Sequence, residues 1–485
     1  MYIKCDKLQN LTPCQFYESK EIYLENATKI LSLCAEARTI ECDIHSNKIR
    51  VKYLLTIKAI YQTEDSLVEV KEDVSEQTNA IRCSCVNVQG VLIDTIVTGV
   101  EYHGLTKIKV RVMLEQKGVM QISGGFSSLE GDELVTKNAT LKATTIAPLR
   151  GTECVVTSNV SCKHKLGKIL TACANICVKN VSQATDIWEI DGEATVYATH
   201  LFGGEILGET FLAPFHLELQ EEGVSESSKI AHLLKPLSVS IVTTESDDGA
   251  EVEVELLLSV GGYYLDSAEV EYPIDAYSKT KEVVLKKADA VVPDSSCCVN
   301  VEERFSEIVP FESITDAEEI LCIGAPYVGA SSLSLTPDAT IQGIVCLEAL
   351  LKLDGGALER VVTEVPFSIA LRDKIECTDN LSLDIKVSNI NCRLRYGSAV
   401  EVSGNLAITI EGYTEKVISY LEDVEELGER IKNDSVISVY LVGEGETLFD
   451  CAKALRSDEE ELLQLNPDLS LPLKVGDKVL LYHPL

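Results

Sequence analysis

Residues 190–215, IDGEATVYATHLFGGEILGETFLAPF, and residues 341–367, IQGIVCLEALLKLDGGALERVVTEVPF, are two versions of one phrase. Each opens on Ile-x-Gly, passes through an apolar run to a glycine pair (Gly203-Gly204, Gly355-Gly356) and closes on Pro-Phe (Pro214-Phe215, Pro366-Phe367). The isoleucine-to-proline distances are 24 and 25 residues, so the two differ by one residue, which is expected in a loop. Apolar runs on either side of a glycine pair read as a β-hairpin, because the tight primed turns need positive φ at their centre.

Upstream of each phrase stands an Ile-Leu pair followed, two residues later, by a small pair: Ile169-Leu170 with Cys173-Ala174, and Ile320-Leu321 with Gly324-Ala325. The same signature occurs a third time as Ile30-Leu31 with Cys34-Ala35. From these anchors the next strand opens 19, 21 and 21 residues on, at Ile49, Ile190 and Ile341. Copy one has two strands in the place of the hairpin (49–61 and 66–70) but lacks both Gly-Gly and Pro-Phe, and is the divergent member.

Downstream, each copy carries an alternating run of the kind that half-buries a strand. Copy one sets Ile108, Val110, Val112 and Leu114 against Lys107, Lys109 and Arg111; copy two sets Val252, Val254, Leu256 and Leu258 against Glu251, Glu253 and Glu255. Copy three has Val400, Val402, Leu406, Ile408 and Ile410, with Gly404 expected to mark a bend. The chain is therefore expected to be mainly β, with three tandem β-sandwich-like repeats over 21–145, 150–292 and 300–425 after an N-terminal segment 1–20. Polar stretches near 124–138 and 294–303 read as linkers, and 421–429 (LEDVEELGE) reads as acidic and helix-favouring, with Asn433-Asp434-Ser435 as a break behind it.

Residues 435–485 have another rhythm. A short strand at 438–442 ends at Gly443; Thr447 with Asp450 can cap a helix whose apolar stripe is Leu448, Cys451, Ala452 and Leu455. Ser457 with Glu460 repeats the device for a second helix carrying Leu462, Leu463 and Leu465, which Asn466-Pro467 stops before a closing strand at 478–482. Phe449 falls just off the first stripe, and the spacing slightly favours core burial over an exposed anchor.

Forty-three basic and 77 acidic residues give a net charge of −34, which repels phosphate backbones and anionic headgroups at long range. Nucleic acid is not an expected partner. The first twenty residues hold no signal-like apolar core and no run is long enough to span a membrane, so a cytoplasmic chain is expected. Seventeen cysteines, many inside apolar runs, suit reduced thiols acting as small hydrophobes.

The C-terminal segment resembles the LysM family, through Val439-Tyr440, Gly445-Glu446-Thr447-Leu448, Ala452, Asn466-Pro467 and Val475-Gly476-Asp477-Lys478-Val479. The resemblance implies a shallow groove between two loops. It would be formed by Gly443, Gly445, Glu446, Thr447, Leu448 and Phe449 on one side and Asn466, Pro467, Asp468 and Leu469 on the other. The common family ligand is an N-acetylglucosamine-containing glycan. Here Glu446 stands where the family more often has Asp, and Glu444 and Asp458–Glu461 make the surroundings acidic.

The repeats, by the Ile-Leu anchor, the Ile-x-Gly strand and Pro-Phe, resemble the SPOCS domain of bacterial spore-coat assembly. In its order of modules the whole chain is similar to the SipL-like family of clostridial spore-morphogenesis proteins. That resemblance implies docking of the LysM onto the coat's basement-layer ATPase, other coat proteins as partners, and a place in the mother-cell cytosol at the forespore surface.

No glycine-rich phosphate loop, GxSxG elbow or HExxH motif is present, and no catalytic residue or cofactor is expected. Cys162-x-His164 with Cys173-x3-Cys177 has zinc-like spacing, but Cys173 occupies a repeat anchor, as a packing position would, and no metal is expected. The basic face of Lys107, Lys109 and Arg111 is expected to be solvated. These readings favour a non-enzymatic scaffold. The alternatives are a wall protein that binds peptidoglycan through N-acetylglucosamine, or a LysM-bearing phage-tail-like hub.

Overall fold

The computed structural model describes residues 2–482 except 46, 86, 128, 130–133, 150, 163–164, 185, 221–228, 247–248, 312–313, 337–338, 372–374, 376–378 and 430–435. It is mainly β, and the two helices among the described residues both lie near the C-terminus. No helix among the described residues is long and apolar enough to cross a membrane.

The first unit contains β1 (Tyr2–Lys4), β2 (Lys7–Tyr23), β3 (Ala27–His45), β4 (Lys48–Thr63), β5 (Val68–Arg82), β6 (Val88–His103), β7 (Lys107–Ile122) and β8 (Gly125–Ser127). Its sheets run β2-β7-β6 and β3-β4-β5, with β1 paired to β8 apart from both. Next come β9 (Val135–Pro148), β10 (Thr152–Cys162), β11 (Lys168–Ala184), β12 (Ile187–Phe202), β13 (Glu205–Gln220), β14 (Lys229–Ser246) and β15 (Gly249–Tyr277). Here the orders are β10-β15-β14 and β11-β12-β13, with β9 on the far half of β15. The third set is β16 (Lys281–Pro310), β17 (Ala317–Ile323), β18 (Tyr327–Ser334), β19 (Thr340–Leu353), β20 (Leu358–Ala370), β21 (Asp379–Arg395) and β22 (Ala399–Glu429), ordered β16-β22-β21 and β17/β18-β19-β20.

One topology therefore occurs three times: a three-stranded meander faces a sheet in which the unit's first strand pairs with its last. The alternating runs supply the facing surface, since Val110, Val112, Val254, Leu256, Val402 and Ile408 are all buried. Gly404 lies within β22, opposite the bulge that Asn389 and Ile390 make in β21, and a Cβ there would stand 2.6 Å from Ile390 Cδ1.

Ladder register explains the repeated phrases. Gly192 lies opposite Phe215 and Gly343 opposite Phe367, and a Cβ on either glycine would meet the phenylalanine ring at 2.2 and 2.4 Å. The ring of Pro-Phe thus covers the bare backbone of Ile-x-Gly. At the matching register of unit one Tyr53 faces Gln77, so the aromatic comes from the other strand and the phrase is absent. The extra residue of copy three lies in the glycine turn: Phe202 pairs directly with Glu205, whereas Leu353 and Ala357 close a three-residue loop. Register also makes Val51, rather than Ile49, the counterpart of Ile190 and Ile341.

The Ile-Leu anchors are β-bulges. The ladder slips after Ile30, Ile169 and Ile320, leaving Leu31, Leu170 and Leu321 as the extra residue of β3, β11 and β17. All three leucines meet in one apolar cluster with Ile60, Ile206, Cys322 and Leu350. Gly208 of unit two packs so tightly on unit three that a Cβ would lie 2.4 Å from Cys322 Cβ. At the same register Arg360 of unit three reaches unit one, donating to Leu33 C=O at 3.3 Å and to Glu348 at 2.8 Å. Lys235 of unit two closes the ring by donating to Thr95 C=O of unit one at 3.2 Å and pairing with Asp94. The units are thus arranged cyclically about one axis.

Three assignments from sequence require correction. Residues 294–303 are not a linker but the middle of β16, an edge strand of the sheet β16-β22-β21; the face it turns to solvent is polar, and Asp294 pairs with Lys416 at 2.5 Å. Residues 421–429 are strand, not helix, because cross-strand pairing with 281–287, including Lys281–Glu426 at 3.0 Å, overrides local propensity. The boundaries move accordingly: β2 makes most of segment 1–20 part of unit one, and β9, placed with the first repeat, pairs with β15 of the second.

Beyond the sheets, the paired end strands continue as ribbons: β1–β8, β9 with the far half of β15, and the near half of β16 with the far half of β22. They pack into a stalk around Phe126, whose ring lies 5.8 Å from Tyr272 and 4.4 Å from Tyr420.

Cyclic packing makes the three units one cooperative body. Gly208→Val, which overpacks the contact with Cys322, is expected to lower stability by about 1–3 kcal/mol. It should shift the thermal unfolding of all three units together; a calorimetric trace in which unit two alone shifts would contradict the arrangement.

Candidate partner-binding site

The C-terminal module consists of β23 (Ile437–Leu441), α1 (Leu448–Leu455), α2 (Glu459–Leu465) and β24 (Lys478–Tyr482), the two strands pairing antiparallel. The break expected at 433–435 lies outside the described residues. Its core gathers Val442, Leu448, Phe449, Cys451, Ala452, Leu462, Val479 and Leu481, joined by Tyr277 from the stalk. Phe449 is buried, partly against another part of the chain: the Tyr277 ring stands edge-on at 5.4 Å and Lys137 Nζ lies 5.6 Å above it.

Local hydrogen bonds shape the first loop. Gly443 N–H and the Tyr440 hydroxyl donate to the two oxygens of Glu446, at 2.7 and 2.8 Å, which folds the glutamate inward. That bond pushes the Tyr440 hydroxyl up to about 12. Gly445 has φ 77°, a turn conformation that glycine adopts without strain. The backbone N–H and hydroxyl of Thr447 donate to Asp450 at 2.8 and 2.7 Å, capping α1. The second helix starts one residue later than expected, with Asp458 at its N-cap.

Asn466 belongs to the framework rather than to a groove surface. It is buried, donating to the Leu462 and Leu480 carbonyls at 2.7 and 2.8 Å and accepting from Leu480 N–H at 2.9 Å, which clamps α2 to β24. Of the remaining candidate residues, Gly445, Thr447, Pro467 and Asp468 are exposed, Gly443, Glu446 and Leu469 are half-buried, and Leu448 is core.

The module is anchored on the stalk tip, an arrangement with no signal in the local sequence. Tyr277 donates its hydroxyl to Ser457 C=O at 2.5 Å, and burial pushes that hydroxyl up to about 12. Arg456 donates to Ser278 C=O at 2.8 Å and pairs with Glu282 at 3.3 Å; Lys453 pairs with Asp275 at 2.6 Å, and Lys279 with Asp458. Lys137 donates to the Thr447 hydroxyl at 3.3 Å, so one lip of the expected groove is already engaged.

Elsewhere the sequence candidates behave as packing. Cys173 lies on the axis beside Cys34, and burial, reinforced by Glu36, pushes its thiol up to about 12, keeping it protonated. His164 of the zinc-like spacing lies outside the described residues, and no metal-binding cluster occurs among those described. Lys107 pairs with Glu21 at 2.8 Å and the Arg111 guanidinium lies 3.8 Å over the Tyr17 ring, cross-strand contacts within unit one.

No family model and no solved structure matches the chain. A phosphoglucosamine mutase of Methanococcus maripaludis is 29% identical over 111 residues, a span covering 20% of this chain and 25% of the mutase. The chain thus aligns with about a quarter of that enzyme, too little to bring its activity across.

The Asp450 cap gives a pH test. Burial raises this carboxyl, but the Thr447 bonds and Lys137 outweigh it and hold it below its ordinary value. A carboxylate depressed in the folded state stabilises fully above its unfolded pKa of about 3.9 and loses that contribution as pH falls through the folded value. Asp450→Asn is expected to cost the module about 1 kcal/mol at pH 7. The deficit, read from denaturation followed at the α1 amides, should shrink below about pH 3.9; a deficit independent of pH would contradict the cap.

Proposed function

We propose that the chain is a non-enzymatic scaffold of the spore-coat assembly type, three SPOCS-like units followed by a LysM-like module that docks a protein, with the coat's basement-layer ATPase as partner. The observation that carries this reading is the way the module is held: salt bridges, buried hydrogen bonds and an aromatic contact fix it on the tip of a stalk built by all three units. A small domain mounted rigidly at the end of a larger body loses little orientational freedom on docking, which favours a defined protein contact. The same body offers further surfaces to other coat proteins, and several weak sites on one rigid frame add through avidity.

Glycan binding is the competing reading, and the geometry weighs against it. Thr447 is engaged by Lys137, Glu446 is turned inward, and Asn466 spends its amide on the framework. A polysaccharide would have little beyond the exposed Pro467-Asp468 side to recognise.

The test compares the full chain with Leu462→Asp, which places an unpaired charge at a fully buried position at a cost of several kcal/mol. The parent is expected to capture purified basement-layer ATPase saturably and not to sediment with insoluble peptidoglycan. The variant should lose capture while the three units keep their melting transition. Saturable peptidoglycan binding by the parent without ATPase capture would overturn the proposal.

A further inference from the structure

The module's two-stranded sheet turns an apolar face to solvent. Ile437, Val439 and Leu441, at alternate positions of β23, are 50%, 55% and 61% exposed. Across the ladder Tyr482 lies opposite Ile437 and is 47% exposed, half-buried Leu480 lies opposite Val439, and Lys478 faces Leu441. Val475, 70% exposed, continues the strip past Leu441, where Gly476 N–H donates to Val442 C=O at 2.8 Å. A sheet with one solvated face ordinarily sends its polar residues outward. Here β23 sends Ser438 and the half-buried Tyr440 the other way.

We propose that this face, rather than the groove, is the docking surface of the module, and that its occupant is a single amphipathic helix of the partner with carboxylates flanking its apolar stripe. This rests on the reading that the module docks a protein. The dimensions suit one helix: five residues at about 3.3 Å per residue give a face about 16 Å long, matched by about eleven residues of helix, three turns, about 10 Å across. Charge selects the flanks. In a chain of net charge −34, the charged side chain on this face of the ladder is Lys478, with Lys474 beside Val475 in the adjoining turn. A second copy of the chain is the poorer occupant, because it would bring two strongly acidic bodies together and set lysine against lysine. The groove is the poorer surface, because its Thr447 lip is held by the stalk.

The test uses the full chain and two synthetic helical peptides of about fourteen residues, with the same leucine stripe flanked by glutamates or by lysines. The glutamate peptide is expected to slow amide exchange in 437–441 and 478–482 and to bind at least about tenfold more tightly than the lysine peptide. The Val439→Glu, Leu441→Glu variant, altered only at exposed positions, should keep its melting temperature and lose at least about tenfold in affinity. Equal binding of both peptides, protection over 443–469 instead, or dimerisation of the parent abolished by the variant would overturn the proposal. Capture of the basement-layer ATPase separates it from the reading beneath it. Equal capture by parent and variant removes the sheet face but leaves docking standing; glutamate-peptide binding without any ATPase capture removes that partner but leaves the face.

Discussion

Everything in this molecule hangs on three bulged leucines. An extra residue in β3, β11 and β17 pushes Leu31, Leu170 and Leu321 off their own ladders and into one shared cluster. Leu31 is fully buried there and Leu170 and Leu321 partly, so the apolar gain, roughly 1.5–3 kcal/mol for a side chain fully buried and less for the other two, comes from the units closing on one another. Gly208 lets units two and three approach closely, its bare backbone lying where a Cβ would stand 2.4 Å from Cys322 Cβ. Cyclic closure then aligns the end strands of all three units, and their continuation becomes the stalk on which the last module sits.

Much of this was legible because it is written in short apolar and glycine-bearing phrases. The anchors mark the bulges, Ile-x-Gly with Pro-Phe marks a ring laid over bare backbone, and the alternating runs mark the strand that closes each unit. What escaped did so for physical reasons. In unit one Tyr53 stands at the glycine register and Gln77 at the phenylalanine register, so the signature vanishes. The solvated edge strand at 294–303 and the ribbon at 421–429 carry polar and acidic residues, and such composition imitates a linker and a helix until the partner strand, distant in sequence, is known.

The C-terminal module shows the same division. Its strand-helix-helix-strand order and the Thr447–Asp450 cap follow from local pattern. The docking of Arg456, Lys453 and Phe449 onto residues 275–282 joins segments about 175 residues apart, and no periodicity announces it. Of the ten candidate groove residues, Asn466 and Leu448 serve the framework and Phe449 faces the stalk. The apolar strip on β23 has only the signature of a strand, because in sequence an outward-facing valine looks like an inward-facing one.

Native-state hydrogen exchange at the axis tests the central claim most directly. If the shared cluster makes the three units one body, the slowest amides of β3, β11 and β17 should exchange with a common free energy, equal to that of global unfolding and equally sensitive to denaturant. Amides of one unit exchanging through a separate opening of lower free energy and smaller denaturant dependence would contradict it.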